Sequence, residues 1–335
     1  MLVKSIHHFA EFMSGRGTVI VLIASIAMGI ILGFTFPNIE EILSNQIDIT
    51  ILLLVFLLLF DVRIKNVLSS LQNLPFIGIV LVTNFIIIPL IGYGIASLFL
   101  SEYPLFFIGL VIYFMAPCTD WFLGFTKLAK GNTALGAALI PLNMISQLLL
   151  YPFYLHIFGI DLIETISYSI FETVWQWFLI PLIAALVLRY ICERTLTKNN
   201  FEIIQSTSSI FIPILLSILI TQILAANLGV LISYITIVPL ILLSIFTFFT
   251  ATYILSEMIS NIAKFKYENH VLFSMTTAAR NAPLMLAITM IALPNQPVIY
   301  AALIIGMLVE LPHLIGLKML LNKNNPDYKV VLDIV

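Results

Sequence analysis

The sequence predicts an all-α integral membrane protein with about ten transmembrane helices, arranged as two inverted five-helix repeats with broken crossing helices in spans four and nine. Three observations predict this fold class: the composition, the spacing of the apolar segments and the distribution of the charged residues. The chain of 335 residues is 61% hydrophobic and only 10% charged, whereas soluble domains contain about 25% charged residues. This composition indicates a chain that lies mostly in lipid.

Ten apolar segments approach or exceed the roughly 20 residues that a helix needs to cross a bilayer, and turn-forming residues separate them. The segments lie near residues 17–36, 47–60, 74–98, 104–126, 133–158, 168–190, 203–226, 230–257, 270–292 and 297–317. We expect the turn between the seventh and eighth at 226–229. The first five segments form one repeat over 1–160 and the second five form another over 161–335, and together they make one transmembrane domain.

The basic residues fall in one set of loops. With ten spans and a cytoplasmic amino terminus, fourteen of the fifteen Lys and Arg residues lie in inner loops, as the positive-inside rule predicts. The outer loops contain no basic residue and five acidic ones, namely Glu40, Glu41, Glu102, Asp161 and Glu164. We therefore expect a multi-pass protein of the cytoplasmic (inner) cell membrane with both termini in the cytoplasm.

Two prolines occur at matching depth in the two halves. Five spans per half make the second half enter the membrane from the opposite side, which is the inverted-repeat plan of secondary transporters. Pro117 lies thirteen residues after Pro104, where span four enters from outside, and Pro283 lies thirteen residues after His270, where span nine enters from inside. We expect both spans to break at these prolines and to cross near the midplane.

The segment Met115–Trp121 contains a proline, a thiol, a hydroxyl and a carboxylate where a membrane helix is normally apolar. The carboxylate of Asp120 costs on the order of 3 kcal/mol within a span, and such groups are normally functional or paired. Arg280 lies within span nine at a similar depth and is its natural partner. The sequence leaves open whether this pair is a fixed ion pair or one that cargo or a proton breaks, and whether Pro117 forms only a kink.

Further polar residues lie in the spans. Glu310 and His313 are three residues apart in span ten and share a helix face, so with Asp120 they form the expected proton-coupling group; a His313 that merely lies at the inner interface is equally compatible. Asn84 in span three hydrogen-bonds either a broken helix or an ordinary neighbouring helix. The residues expected to form or support the breaks are Pro117, Pro283, Asn84, Thr276 and Thr277.

Motifs of other protein classes are absent from the sequence. It contains no phosphate-binding glycine loop, no His–Cys cluster with metal-site spacing and no nucleophile elbow. We therefore predict that the chain is not an enzyme, uses neither ATP nor a cofactor and holds no metal. With a net charge of −2 and no large basic patch, we also predict no nucleic-acid partner.

The run Ala116-Pro-Cys-Thr119, followed by Lys127-Leu-Ala-Lys-Gly131, resembles span four of the arsenical-resistance (arsenite efflux) permeases in the bile acid/sodium symporter superfamily. The run Gly306–Pro312 and the position of Asn84 are also similar to theirs. The resemblance implies two inverted five-helix repeats, with a core around spans four and nine and a panel that moves against it. It also implies arsenite export in exchange for protons with an essential Cys118. Soft sulfur ligands suit thiophilic arsenic(III).

The resemblance is to a divergent branch of this superfamily. The resemblance, aligned on Asn281, puts Thr276 and Arg280 where the sodium-coupled members have a glutamate and a glutamine. It also puts Phe122 and Leu123 in place of their Ser-Asn sodium ligands in span four. These departures imply that the Arg280 guanidinium replaces the charge of a sodium ion.

We therefore predict a secondary active transporter that exports arsenite by exchange with protons. The alternative is sodium- or proton-coupled transport of a small organic anion, held by Arg280 and helix N-termini. A non-transporting receptor is disfavoured, because the chain has no extramembrane domain to signal through. The expected partners are arsenite or another small anion or oxyacid, protons and the lipid bilayer, and a homo-oligomer is left open. The expected substrate-binding residues are Cys118, Thr119, Asp120, Arg280 and Asn281.

Overall fold

The computed structural model describes residues 16–36, 39–60, 73–119, 121–158 and 183–323, and its regular structure there is helical apart from one isolated β-bridge. Residues 183–195 form α7. The other helices are α1 Arg16–Thr35, α2 Ile39–Phe60, α3 Leu74–Leu100, α4 Pro104–Met115, α5 Trp121–Leu128, α6 Thr133–Ile157, α8 Lys198–Ser233, α9 Val238–Ile262, α10 Tyr267–Ala278, α11 Ala282–Ala292 and α12 Pro297–Lys323.

The described helices agree with the predicted apolar segments, and several boundaries differ. The helix α2 begins at Ile39, earlier than the predicted residue 47. The turn predicted at 226–229 is wrong, because α8 continues to Ser233 with only a kink at Asn227 (φ −120°, ψ 19°). The side-chain Nδ2 of Asn227 donates to Ile223 O at 2.9 Å and replaces the main-chain bond that a kink weakens. Most of the sixth segment lies outside the described residues.

Five of these helices, α3, α6, α8, α9 and α12, are long and apolar enough to cross a membrane. Shorter apolar stretches lie in α1, α2, α4 and α11. Large apolar side chains point outward from several helices, including Leu98, which is 74% exposed, and Phe246, which is 66% exposed. Soluble proteins rarely expose many such side chains together, so the chain is a multi-pass membrane protein whose outer faces contact lipid.

The contacts between helices divide the described chain into two compact units. Unit 1 contains α1, α2, α7, α8, most of α11 and the start of α12. Unit 2 contains α3 to α6, α9, α10 and the rest of α12. Each unit takes helices from both halves of the chain, and the assignment of 1–160 and 161–335 as inverted repeats remains a prediction.

Unit 1 is built around the long helix α8, which packs against α1 and α2. Gly29 and Gly33 of α1 make this packing close, because an added Cβ would lie 2.9 Å from Leu224 or Leu228 of α8. Small residues at such contacts allow membrane helices to approach one another closely. The two helices are also joined by Thr221, whose hydroxyl donates to Ser25 O at 3.0 Å.

Unit 2 contains a π-helical turn in α3 at Thr83–Ile87, directly before Pro89. Proline has no N–H to donate to the carbonyl four residues earlier, which here is Phe85 O. The hydroxyl of Tyr154 in α6 donates to that oxygen at 2.5 Å. This bond supplies the partner that a main-chain oxygen needs inside a membrane, where water is absent. The π turn also places Asn84 in the interior, where it is fully buried.

Candidate functional site

Both predicted helix breaks are present, and both lie in unit 2. The helix α4 ends at Met115 and α5 begins at Trp121, while α10 ends at Ala278 and α11 begins at Ala282. The residues after each end are extended: Ala116 has φ −106° and ψ 111°, and Ala279 has φ −75° and ψ 137°. The chain therefore leaves the helical conformation inside both spans.

The two extended segments pair as an antiparallel β-bridge between Pro117 and Arg280. The N–H of Cys118 donates to Ala279 O at 3.0 Å, and the N–H of Asn281 donates to Ala116 O at 2.9 Å. In such a bridge the two central residues exchange no hydrogen bond with each other. Proline, which has no N–H, therefore fits at Pro117, and the main-chain N–H of Arg280 is available for another acceptor.

The guanidinium of Arg280 lies where α4 and α10 end, and the residue is only 1% exposed. Its Nη1 donates to Phe114 O at 3.0 Å, and its Nη2 donates to Thr276 O at 3.2 Å and Thr277 O at 2.7 Å. The last carbonyls of a helix have no partner within it, and they form the negative end of the helix dipole. Arg280 is thus a cation bound by the carboxyl ends of both broken helices, and its ring contact is with Phe248 at 5.8 Å.

The carboxylate of Glu310 in α12 meets the same break from another side. Its Oε1 accepts the main-chain N–H of Arg280 at 3.0 Å, and its Oε2 lies 3.1 Å from the hydroxyl of Tyr113. That hydroxyl is also 3.0 Å from Gly306 O. A side chain at Gly306 would collide with the tyrosine ring, since an added Cβ would lie 2.8 Å from it. Glu310 is 2% exposed, so a buried acid is held between the break and a tyrosine.

The thiol of Cys118 is buried at the crossing and lies within electrostatic range of Arg280 and Tyr113. The neighbouring Thr119 accepts a hydrogen bond from Asn281 Nδ2 at 3.2 Å, which joins the two breaks by side chains as well. Asp120 lies outside the described residues, so its pairing with Arg280 remains a prediction. The structure brings together the predicted residues Cys118, Thr119, Arg280, Asn281 and Glu310.

Three polar residues meet beside α10. The side-chain Nδ2 atoms of Asn84 in α3 and Asn143 in α6 each donate to Thr276 Oγ1 at 3.3 Å. Sequence reasoning included Asn84 and Thr276 but missed Asn143. The available signal was a second amide, Gln147, one helical turn later in an otherwise apolar span. The hydroxyl of Thr277 instead donates to Phe273 O within its own helix at 2.8 Å.

His313 has a different environment from Glu310. Its ring stacks on Phe249, with centroids 4.0 Å apart and an interplanar angle of 6°, and its Nε2 has no hydrogen-bond partner among the described residues. The contacts of Glu310 are with Arg280 and Tyr113. Within the described part of the chain, no three His, Cys, Asp or Glu residues are grouped so that they could hold a metal ion.

Comparison with known proteins gives one family and two curated relatives. The model of the Sodium Bile acid symporter family matches residues 48–232. The chain is 24% identical over 317 residues to the arsenical-resistance protein Acr3 of Corynebacterium glutamicum, which covers 88% of this chain and 85% of that protein. It is 23% identical over 198 residues to the uncharacterized sodium-dependent transporter YocS of Bacillus subtilis, which covers 59% of each chain.

Proposed function

The chain belongs to the sodium/bile acid symporter family, a family of membrane transporters, and from that premise we propose that it exports arsenite in exchange for protons. The observation that carries this proposal is a buried thiol, Cys118, at the crossing of two broken helices, where the buried acid Glu310 accepts the main-chain N–H of Arg280. The similarity to an arsenical-resistance protein over most of both chains supports the same cargo.

Cys118 is the proposed cargo ligand. Arsenic(III) is thiophilic, and soft sulfur ligands prefer soft centres. When the thiol attacks arsenous acid, an arsenic–sulfur bond forms, one arsenic–oxygen bond breaks, and the hydroxyl leaves with the thiol proton as water. The step is not a redox reaction, and its reversal by water releases the cargo. Thr119 and Asn281, joined by their own hydrogen bond, hold the two backbone segments on either side of this thiol.

Arg280 explains the choice of protons over sodium. Three main-chain carbonyl oxygens at two helix ends form a ligand set suited to a hard cation, and the guanidinium already occupies it. A resident charge that cannot leave also cannot be transported. The coupling ion is therefore one that binds elsewhere, and the buried carboxylate of Glu310 provides a site for a proton.

The hydroxyl of Tyr113 suits both protonation states of Glu310. When Glu310 is ionised, the tyrosine O–H donates to Oε2, at 3.1 Å. When Glu310 is protonated, its own O–H donates to the tyrosine oxygen, and the tyrosine O–H turns to Gly306 O, at 3.0 Å. Neither state leaves the carboxyl group without a partner in the membrane interior, so the proton can be taken up and released without a large penalty.

The rest of the proposed architecture follows the sequence predictions. Two inverted five-helix repeats, 1–160 and 161–335, lie in the cytoplasmic membrane with both termini inside. Asp120 and His313 extend the proton path beyond Glu310. Pro117, Pro283, Asn84, Thr276 and Thr277 form and support the two breaks, and the breaks alternate in their access to the two sides of the membrane.

A small organic anion is the second candidate cargo. The similarity to a sodium-dependent transporter supports only the sodium coupling of this alternative. Nε of Arg280, which has no hydrogen-bond partner among the described residues, offers a donor to an anion. The other donors of the guanidinium are committed to Phe114, Thr276 and Thr277. An anion would therefore have a single N–H group instead of the two-pronged contact that arginine normally offers a carboxylate.

Arsenite tolerance tests the proposal directly. Cells that lack arsenite pumps should gain tolerance when they express the chain, and should lose it with Cys118→Ser, which removes the sulfur ligand at almost constant volume. In everted vesicles, Glu310→Gln should abolish arsenite accumulation driven by a pH gradient and retain arsenite–arsenite exchange. A wild-type chain that gives no tolerance would exclude arsenite, and accumulation that requires sodium would exclude the proton mechanism.

A further inference from the structure

Three buried amides of α3 and α6 have polar side-chain atoms that bond to nothing among the described residues. Asn84 and Asn143 are each fully buried and each use Nδ2 on Thr276 Oγ1, but their Oδ1 atoms have no partner among the described residues. Gln147 follows Asn143 by one turn of α6 and is 2% exposed, and neither polar atom of its side chain has a described partner. These four orphaned atoms indicate an occupant.

The chemistry of these atoms restricts the occupant. Three of the four are amide oxygens, which accept hydrogen bonds and do not donate them. Such acceptors repel an anion, and both terminal nitrogens of the Arg280 guanidinium are already bonded to main-chain oxygens of Phe114, Thr276 and Thr277. The occupant must therefore be neutral and must carry several O–H or N–H donors. Buried polar groups are otherwise almost always satisfied.

We propose that Asn84, Asn143 and Gln147 form a cargo subsite that binds the hydroxyl groups of a neutral, fully protonated oxyacid. The inference rests on the proposed function, and it specifies the form that enters the site as arsenous acid, which has three O–H donors before the thiol of Cys118 displaces one hydroxyl. The main-chain oxygen of Thr276 accepts from Arg280, which lies within electrostatic range of Cys118. The subsite is thus linked through Thr276 and Arg280 to the thiol that binds arsenic.

This subsite distinguishes the two candidate cargoes. An organic carboxylate brings acceptors to a place that already has an excess of acceptors, and each of its oxygens would face an amide oxygen. A neutral oxyacid brings one donor for each amide oxygen. A site whose polar groups are satisfied only by the correct ligand rejects other ligands strongly, because those groups stay unsatisfied.

Gln147→Leu is the decisive variant, because the described fold contains no hydrogen bond from this side chain that the change would remove. We expect the purified chain to unfold at the same temperature or higher, and KM for arsenite uptake into everted vesicles at pH 7 to rise about tenfold with kcat unchanged. Asn143→Leu should raise KM similarly. Gln222→Leu in unit 1 is the matched control, a buried amide outside the subsite, and should leave KM within about twofold.

Boric acid provides a probe that has three O–H donors and no affinity for the thiol. It should inhibit arsenite uptake competitively in the wild type and about tenfold more weakly in Gln147→Leu. An unchanged KM for arsenite in both Gln147→Leu and Asn143→Leu would overturn the subsite, and water would then be the occupant. The proposed function would not be affected by that result. A different outcome is that the chain does not transport arsenite, but boric acid raises the unfolding temperature of the wild type and not of Gln147→Leu. That outcome would overturn arsenite as the cargo and keep the subsite.

Discussion

The interiors of the two units differ in which polar groups they contain and in what those groups bind. In unit 1, the partly buried hydroxyl of Thr221 bonds main-chain oxygens of α8 and α1. The charged Arg189 lies at the end of α2, where it donates to Phe60 O at 2.7 Å. In unit 2, the guanidinium of Arg280 lies at the two helix breaks, and the carboxylate of Glu310 bonds the main chain of the same residue. The proposed cargo and proton groups thus lie in unit 2.

The difference has a physical cause. Continuous helices satisfy their own main-chain groups, so the interior of unit 1 needs only close packing between α1 and α8. Broken helices expose main-chain carbonyls inside the membrane, and each must find a partner there. In unit 2, Arg280 and Tyr154 supply those partners. Polar residues in unit 2 thus follow from the breaks, and substitutions should affect the two units differently.

The largest effect is expected from Arg280→Ala. The change leaves Phe114 O, Thr276 O and Thr277 O without their donor and leaves Glu310 as a buried acid without its counter-charge. We expect a loss of about 3–5 kcal/mol, typical of removing one member of a buried charged pair, measured by thermal unfolding of the purified protein. Arg280→Lys should recover only part of this loss, because one ammonium cannot reach all three carbonyls. Equal stability of Arg280→Ala and the wild type would contradict the capping role.

An intermediate effect is expected from Gly29→Ala in unit 1. Its Cβ would lie 2.9 Å from the Cβ of Leu224, and overpacking of this kind costs about 1–3 kcal/mol. Arsenite transport per folded molecule should not change, because unit 1 lacks the proposed cargo and proton groups. The matched control is Gly229→Ala in α8, where an added Cβ meets nothing within 4 Å. A rise in KM or a fall in kcat per folded molecule of Gly29→Ala would contradict the division of roles between the units.

The smallest effect on stability is expected from Tyr113→Phe, at about 1 kcal/mol for one hydrogen bond. Its effect on transport should be specific, because the ionised state of Glu310 loses its side-chain donor. Losing that donor disfavours ionisation, so the pH of half-maximal transport should move upward. The control is Tyr300→Phe, which removes a similar buried hydroxyl bonded to Leu293 O. An unchanged pH profile for Tyr113→Phe would exclude the tyrosine from proton coupling.

The sequence was most informative where the physics is local. Apolar length predicts a membrane span, and proline removes a main-chain donor whatever its neighbours are, so the helices and the breaks near Pro117 and Pro283 follow from short segments. Local reasoning was insufficient at Asn227, where the kink is repaired by the side chain of the same residue. It also missed Asn143, because an amide in a span does not show from the sequence which group it will meet, and its partner Thr276 lies 133 residues away.

The segment around Pro117 and its counterpart around Arg280 show the limit clearly. Residue types alone determined that both helices break, that a thiol lies in one break, and that a charged group in the other needs a partner. Only the tertiary structure decided what Arg280 binds: main-chain carbonyls of Phe114, Thr276 and Thr277, with Glu310 on its main-chain N–H. Every residue has a main-chain oxygen, so the sequence does not indicate which of these oxygens form a site. Such a site can be identified only from the structure, in which the two helix ends lie close together.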